Sequence, residues 1–319
     1  MSQHIQLSGE IPEAMAGSRA DRALARLFPD YSRSRIQAWI KAGQVRLDGQ
    51  PLRARDTVQG GEQVAIEAEL AVETEAQPQA IPLTIVYEDE HLIVVDKPPD
   101  LVVHPAAGNP DGTLQNALLH RYPELATLPR AGLVHRLDKD TSGLMVVARS
   151  LQAHHSLVAQ LQDRTVGREY LALVQGRVIA GATVDAPIGR HPVDRKRMAV
   201  VERGRPAVTR YRIEERLPAH TLVRVSLDTG RTHQIRVHMA HIGFPLVGDP
   251  VYGGRLKRPP GISDATADAL RAFRRQALHA ARLGLVHPAS GLPMRWTSAM
   301  PEDLQGLLAQ LREEAAREA

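Results

Sequence analysis

Between residues 67 and 80 the chain carries Glu67, Glu69, Glu73 and Glu75, no basic residue and one proline. A stretch of this composition reads as an acidic, extended linker. It divides the 319 residues into a small module over 1–68, a linker over 69–82 and a large unit over 83–319. At 43% apolar the chain can bury a sizeable core, but only 3% of it is aromatic, so that core is aliphatic. Cysteine is absent. Disulfides, thiolate zinc sites, iron–sulfur clusters and thiol nucleophiles are therefore ruled out, and a reducing compartment fits. No run of 18 apolar residues predicts a membrane span. The N-terminal segment, with Glu10 and Glu13, has no apolar signal region. A soluble, cytoplasmic protein is expected.

The net charge of +4 is modest, but its distribution is not. Tyr31 to Arg55 holds six bases and one acid, and Gly189 to Arg212 holds eight bases and two acids. One such run reads as a solvated face. Two separate runs favour a polyanionic partner and a nucleic-acid surface.

Within the small module, Asp21 to Leu27 has a helical pattern. A second helix opens near Ser32 as N-cap, places Ile36, Trp39 and Ile40 on one face and ends at Gly43. Val45, Leu47, Val64 and Ile66 predict short strands, with turns at Asp48-Gly49 and Gly60-Gly61. In the large unit, 83–87 and 92–95 read as a β-hairpin. Strands are expected at 144–148, 168–174, 208–213, 222–227 and 278–286, and helices at 114–121, 151–161 and 302–312. Residues 232–241 read as a short helix or turn. Strands and helices do not alternate regularly, so neither a Rossmann nor a TIM arrangement is supported.

Two stretches concentrate reactive side chains. Gly132-Leu133-Val134-His135-Arg136-Leu137-Asp138-Lys139-Asp140-Thr141-Ser142-Gly143 is polar and bracketed by apolar residues. A strand–loop–strand is expected there, holding Asp138 on a stiff connection; a tight turn with solvated charges is the alternative. Leu227-Asp228-Thr229-Gly230-Arg231-Thr232-His233-Gln234-Ile235-Arg236-Val237-His238 brings Arg, His and Gln together after a glycine turn. His233, His238 and His241 lack the spacing of a zinc helix, and a polar network around an anionic substrate is the better reading. Residues 108–113 lack the Gly-Lys-Ser/Thr of a phosphate loop, and no Gly-x-Ser-x-Gly elbow occurs. An aspartate is then the best nucleophile candidate.

His135-Arg136-Leu137-Asp138 with Thr141-Ser142-Gly143 resembles the signature of RNA pseudouridine synthases of the RluA type. Asp96-Lys97-Pro98-Pro99 with Val103-His104-Pro105, Arg168-Glu169-Tyr170, and Gly230-Arg231-Thr232-His233-Gln234-Ile235-Arg236 resemble three further motifs of that family, in the expected order. The N-terminal module resembles an S4 RNA-binding domain, with one departure. Arg19-Ala20-Asp21 has alanine where an apolar leucine is usual, which predicts weaker packing of the first helix. Pro29 to Arg35, Gly108 to Thr113 and Gly248 to Gly254 resemble the branch of the family that acts on the large ribosomal subunit.

The resemblance implies an α+β fold: a mixed, mainly antiparallel sheet with flanking helices and a central basic cleft. It implies isomerisation of uridine to pseudouridine in 23S ribosomal RNA, with the helix 69 stem-loop of an assembled or assembling subunit as the expected target. No cofactor or metal is implied. A tRNA loop as substrate, or a role as an RNA-binding assembly factor, are the other readings. Asp138 is the implied essential carboxylate, either attacking the ribose or assisting through a glycal-like intermediate. A flipped base would cover Asp138, and burial alone would tend to protonate it. Arg231, matching the family's arginine, is expected as the ion-pair partner that keeps it charged. Tyr170 is expected to stack on the uracil. Arg136 is either a wedge that fills the gap left by an extruded base or a phosphate contact. Arg33, Arg35, Lys41 and Arg46 are expected to grip phosphate on the S4 side, and Arg190, Arg195, Lys196 and Arg197 on the catalytic side.

Overall fold

The computed structural model describes residues 3–29, 31, 33–70, 76–106, 108–195, 197–254, 258–259 and 261–318. In the N-terminal unit, strand β1 (Gln3–Glu10) precedes helices α1 (Ala20–Leu27) and α2 (Arg33–Lys41). Strands β2 (Val45–Leu47), β3 (Gln50–Pro51) and β4 (Gln63–Leu70) complete an antiparallel sheet of order β1-β4-β2-β3. Ile36, Trp39 and Ile40 face inward from α2 and meet Ile11, Leu24, Val45 and Ile66 in one apolar cluster. Gly43, Asp48, Gly49, Gly60 and Gly61 are all left-handed, as the expected cap and turns require. The expected N-cap, Ser32, lies outside the described residues. Strand β1 was not expected. Only Ile5 and Leu7 mark its inner face with apolar side chains, and it is made a strand by pairing with β4 from Gln3↔Leu70 to Glu10↔Gln63.

Ala20 is fully buried in the cluster despite its small side chain. Beside it, the carboxylate of Asp21 is also buried and receives Arg19 at 3.0–3.1 Å, Arg33 at 2.7–3.0 Å and Gln37. Burial opposes ionisation here, but the hydrogen bonds from Arg19, Arg33 and Gln37 overcome it and hold the carboxyl below the usual carboxylate range. This ionic pin joins α1 to α2 next to Ala20, the position at which weaker packing of the first helix is expected. Asp21→Asn is expected to lower the melting midpoint of this unit by about 5 °C at neutral pH. The depressed pKa gives a stabilisation present above the unfolded-state carboxylate pKa and lost as pH falls below it. The midpoint difference from wild type should therefore shrink on acidification.

The large unit begins with β5 (Thr84–Glu88) and β6 (Leu92–Lys97), the expected hairpin, followed by α3 (Leu114–Arg121), β7 (Ser142–Ala148), α4 (Leu151–Gln162) and β8 (Gly167–Gln175). Next come β9 (Ala182–Asp185), β10 (Ile188–Arg190), β11 (Met198–Val200), β12 (Val208–Arg216) and β13 (His220–Leu227). The chain closes with α5 (Gln234–His241), α6 (Asp264–Ala272), β14 (Leu278–Val286), β15 (Pro293–Thr297) and α7 (Glu302–Glu318). Nine strands form one sheet in the order β5-β6-β7-β14-β8-β13-β12-β9, with β15 paired to β14, while β10 and β11 make a separate hairpin. Every pairing in the sheet is antiparallel except β7 with β14. The sheet is thus mixed and mainly antiparallel.

Strand β7 is buried along its whole length, which is why it reads as one apolar run rather than an alternation. Its parallel pairing with β14 brings Gly143 against Ala280 so closely that a Cβ would lie 2.4 Å from the Ala280 carbonyl oxygen. The segment before β7 departs from the expected strand. Arg130, Ala131 and Gly132 are all left-handed, and Leu133 makes a single bridge to Val147. A Cβ on Gly132 would sit 2.0 Å from the Ala148 carbonyl oxygen. The chain therefore turns tightly over the end of β7 and returns as a loop.

The linker is not free throughout. Strand β4 runs to Leu70, residues 71–75 lie outside the described residues, and Ala76, Ile81 and Leu83 pack on the large unit's core. Gln79 and Asn116 hold this second half, with the Gln79 amide donating to the Asn116 carbonyl and the Asn116 side chain donating to the Gln77 carbonyl.

Candidate active site

Three segments converge on a cavity of about 660 Å³. The loop before β7 supplies Arg136 and Asp138, β8 supplies Arg168 and Tyr170, and the turn into α5 supplies Arg231, His233 and Arg236. Arg130 and Arg164 also line it, so six guanidinium groups surround the cavity, whose carboxylates are Asp138 and Asp228.

Asp138 sits on the cavity floor with its side chain 18% exposed. One carboxylate oxygen accepts from Arg236 Nη1 at 3.0 Å, and the other lies 3.8 Å from His233 Nε2. Arg236 is itself buried, on the inner face of α5, and its other two nitrogens grip Asp249 at 2.7 and 2.9 Å. Burial opposes the charge on Arg236, but Asp249 and Asp138 outweigh it and hold the guanidinium ionised. Asp249 is held low in turn: burial raises it, while Arg236 and the amides of Tyr252 and Val251 lower it further. A bidentate pair of this kind fixes the guanidinium plane, so Nη1 is presented to Asp138 in one orientation.

The loop carrying Asp138 is anchored from below. Lys97, at the end of β6, is fully buried and donates to the carbonyls of Pro98, Leu101 and Lys139 at 2.8–2.9 Å. Gln276 donates to Thr141 Oγ1 at 3.1 Å, and Arg275 donates to the Asp140 carbonyl at 3.2 Å while pairing with Asp303. His135 accepts from the Val146 amide at 3.1 Å, and burial pushes it down to about 3, with Arg168 adding to the effect. It is therefore a neutral anchor rather than an acid or base.

Tyr170 projects from β8 into both the core and the cavity. Burial raises its phenol pKa above the ordinary value, which disfavours the phenolate and suits an aromatic wall. Two positions along the strand, Arg168 also faces the cavity. Its Nε is buried without a hydrogen-bond partner among the described residues, and it lies so near Gly230 that a Cβ there would be 3.0 Å from Nη1. Among the described residues, no group of three or more His, Asp or Glu is placed to hold a metal ion. His238 is buried and engaged with Thr209 and the Ala186 carbonyl, both at 2.9 Å.

In comparisons with known proteins, residues 91–241 match the RNA pseudouridylate synthase family model and residues 18–64 match the S4 domain. The chain is 59% identical over 309 residues to the ribosomal large subunit pseudouridine synthase D of Xanthomonas campestris, covering 97% of this chain and 93% of that protein. The protein of the same description from Pseudomonas aeruginosa is 58% identical, with 98% of each chain covered. The chain belongs to the RNA pseudouridylate synthase family. Among solved structures, human RNA pseudouridylate synthase domain containing 1 matches this synthase with a TM-score of 0.56 and 28% identity, covering 73% of this chain and 89% of that one.

In this synthase the ion-pair partner of Asp138 is Arg236, not Arg231. Arg231 lies before the first turn of α5, where its Nε donates to the Pro206 carbonyl at 3.1 Å. Its amide donates to Gln234 Oε1 at 3.0 Å, and its side chain lines the cavity rim. Helix α5 begins only at Gln234, so Arg236 is the arginine that the helix turns inward. Arg136 is exposed at the cavity mouth.

The expected RNA-gripping residues are scattered by comparison. Lys41 and Arg46 are exposed, and Lys41 lines a second concavity of about 550 Å³ together with Arg19, Arg53 and Arg55. Arg33 pairs with Asp21 and so also acts in the fold of the module, while its side chain stays partly exposed. Arg35 is half-buried. Arg190 and Arg195 are exposed around the β10–β11 hairpin, and Lys196 lies outside the described residues. Arg197 is half-buried, with its guanidinium over the Tyr252 ring at 5.3 Å from the centroid. Sequence reasoning missed Arg236 as the partner, and also Asp249, Tyr252, Lys97 and Arg168. A basic residue between the apolar Ile235 and Val237 on a short helix was the available signal, because a buried guanidinium needs a partner.

Proposed function

We propose that this enzyme isomerises uridine to pseudouridine in RNA of the large ribosomal subunit, with Asp138 as the essential carboxylate. The observation that carries the assignment of Asp138 is its ion pair with Arg236 on the floor of an arginine-lined cavity. The RNA class rests on relatives described as large-subunit synthases that match nearly the whole chain. The reaction breaks the bond from uracil N1 to the ribose, forms one from C5 to the same ribose carbon, and moves one proton from C5 to N1. Asp138 acts on that ribose carbon directly or through a glycal-like intermediate, and Arg236 keeps it charged beneath the base. Tyr170 forms the stacking wall. Arg136, at the mouth, fills the gap left by the extruded nucleotide or holds its phosphate, and Arg231 binds RNA at the rim.

Residues 1–68 serve as the RNA-anchoring module, 69–82 as the linker and 83–319 as the catalytic unit. The setting is an assembled or assembling subunit in the cytoplasm, with the helix 69 stem-loop as target. Among the described residues no helix is long and apolar enough to cross a membrane. Incubating the enzyme with large-subunit ribosomal RNA and with tRNA, then mapping pseudouridine, tests the substrate. Modification confined to tRNA would contradict the proposal.

Two further outcomes are expected. Tyr170→Leu removes the stacking wall and should lower turnover between about tenfold and a hundredfold, since base–aromatic stacking is worth about 1–3 kcal/mol. Single-turnover kinetics on saturating RNA would measure the loss. Replacing Lys41, Arg53 and Arg55 together by alanine should weaken RNA binding by at least about tenfold. It should also lower the salt slope by about 2–3, while kcat on saturating RNA holds.

A further inference from the structure

Tyr252, on the loop between α5 and α6, lies where the β10–β11 hairpin, α5 and the Asp249 turn meet. Its ring packs against two guanidinium groups, Arg236 at 5.0 Å and Arg197 at 5.3 Å from the centroid. Its hydroxyl oxygen accepts from the Met198 amide at 2.9 Å and lies 2.9 Å from His233 Nδ1. On the far side of the same imidazole, Nε2 faces the Asp138 oxygen that Arg236 does not hold, at 3.8 Å.

We propose that Tyr252 is a positioning residue for the isomerisation, fixing His233 as the tautomer that points an Nε2 proton at Asp138. This rests on the reading of Asp138 given above. The bonding leaves few choices. The Met198 amide is a donor, so it occupies a lone pair of the hydroxyl. The hydroxyl's one proton then needs an acceptor, and His233 Nδ1 is the one in reach among the described residues. A neutral imidazole that accepts at Nδ1 carries its proton on Nε2. The opposite tautomer would set an Nε2 lone pair against a carboxylate and leave the buried hydroxyl proton without an acceptor. Burial disfavours the doubly protonated ring, as do Arg236 and Arg136, against the pull of Asp138 and Asp249.

The consequence is that the two oxygens of Asp138 face different donors. Arg236 holds one at 3.0 Å. The His233 N–H stands slightly beyond hydrogen-bond distance from the other and closes when RNA fills the cavity. Substrate-free sites commonly show such bonds long. Donor pairs of this kind hold a carboxylate charged and fixed in rotation.

Nitrogen-15 NMR of the imidazole nitrogens in the intact wild-type enzyme tests the tautomer with no variant at all, with His233 assigned by its loss in His233→Gln. The expected result is a proton on Nε2. A proton on Nδ1 overturns the proposal. Kinetics tests the coupling. Tyr252→Phe keeps the ring and loses the hydroxyl, so kcat should fall about tenfold with KM for RNA within about twofold, and the tautomers should mix. His233→Gln places an amide donor near the position of Nε2, so it should retain more activity than His233→Asn. In the His233→Gln background, where no tautomer remains to be set, Tyr252→Phe should cost less than about twofold. An equal loss in both backgrounds would make Tyr252 a packing residue only and overturn the proposal. Asp138→Asn is run alongside; turnover by that variant overturns the underlying reading of Asp138, an outcome separate from the Tyr252 cycle.

Discussion

Arg236→Ala is expected to abolish isomerisation, lowering turnover by at least about a thousandfold, the upper range for loss of a positioned charge donor. Two carboxylates depend on this one guanidinium. Asp249 is fully buried and takes two of its nitrogens, while Asp138 takes the third. Removing the arginine leaves Asp249 as an uncompensated buried charge, which typically costs about 3–5 kcal/mol of folding stability. The variant should therefore melt earlier as well as fail to turn over. Arg236→Lys separates the two effects. It retains a positive charge but loses the fork that grips Asp249 and Asp138 together, so it should recover much of the stability and little of the rate. Arg231→Ala, by contrast, leaves the Asp138 pair in place. It should show weaker RNA binding and a kcat within about tenfold of wild type on saturating RNA.

Lys97→Met is expected to be the next most damaging substitution, although Lys97 touches no substrate. Its ammonium satisfies three carbonyls at once, and one of them, Lys139, immediately follows Asp138 in the chain. Methionine fills the space without a donor. Leaving buried acceptors unsatisfied costs about 1–3 kcal/mol for each group that finds no water, so a loss of about 3 kcal/mol is expected. The Asp138 loop should loosen with it, and turnover should fall about a hundredfold. A pH signature accompanies the stability change. Burial pushes Lys97 down to about 7, opposed by Asp140 and Asp138. The unfolded chain then binds this proton more tightly than the folded one between about pH 7 and the model-peptide value of about 10.4. Over that window Lys97 makes the wild type gain stability as pH rises. Denaturant unfolding at a series of pH values should show this contribution in wild type and not in Lys97→Met.

Local signals made much of the architecture legible. Helix α3 and strand β14 have the expected bounds because each is set by its own apolar pattern, α3 also by a Thr113 capping box with Asn116. Strand β15 and helix α6 also escaped, α6 despite its own Ser263 N-cap, and the other missed strands are those made by distant partners. Strand β1 needs β4, more than fifty residues away, and the short β9, β10 and β11 have little pattern of their own. The segment before Asp138 departs from its strand-like pattern for a related reason. Its apolar residues look strand-like, but the left-handed run from Arg130 to Gly132 breaks the ladder after one bridge.

The same division applies to the site. Asp138 and Tyr170 could be singled out because their motifs are local. The choice between Arg231 and Arg236 turned on where α5 starts, which depends on His233 taking a left-handed conformation ahead of it. Asp249 and Tyr252 join the centre from a loop over a hundred residues after Asp138, and no spacing in the sequence relates them. Arg33 shows the limit of reading charge alone. In a basic run it reads as a phosphate contact only, yet it also pairs with a buried aspartate twelve residues earlier.

Release of the C5 hydrogen from uridine-labelled large-subunit ribosomal RNA is the most direct test of Asp138 as the essential carboxylate, held by Arg236. It should be measured side by side for wild type, Asp138→Asn, Arg236→Ala and Arg231→Ala. Release by wild type and Arg231→Ala, with none above background from the other two, is the predicted result. Release by Asp138→Asn, or by Arg236→Ala while Arg231→Ala is silent, would contradict it.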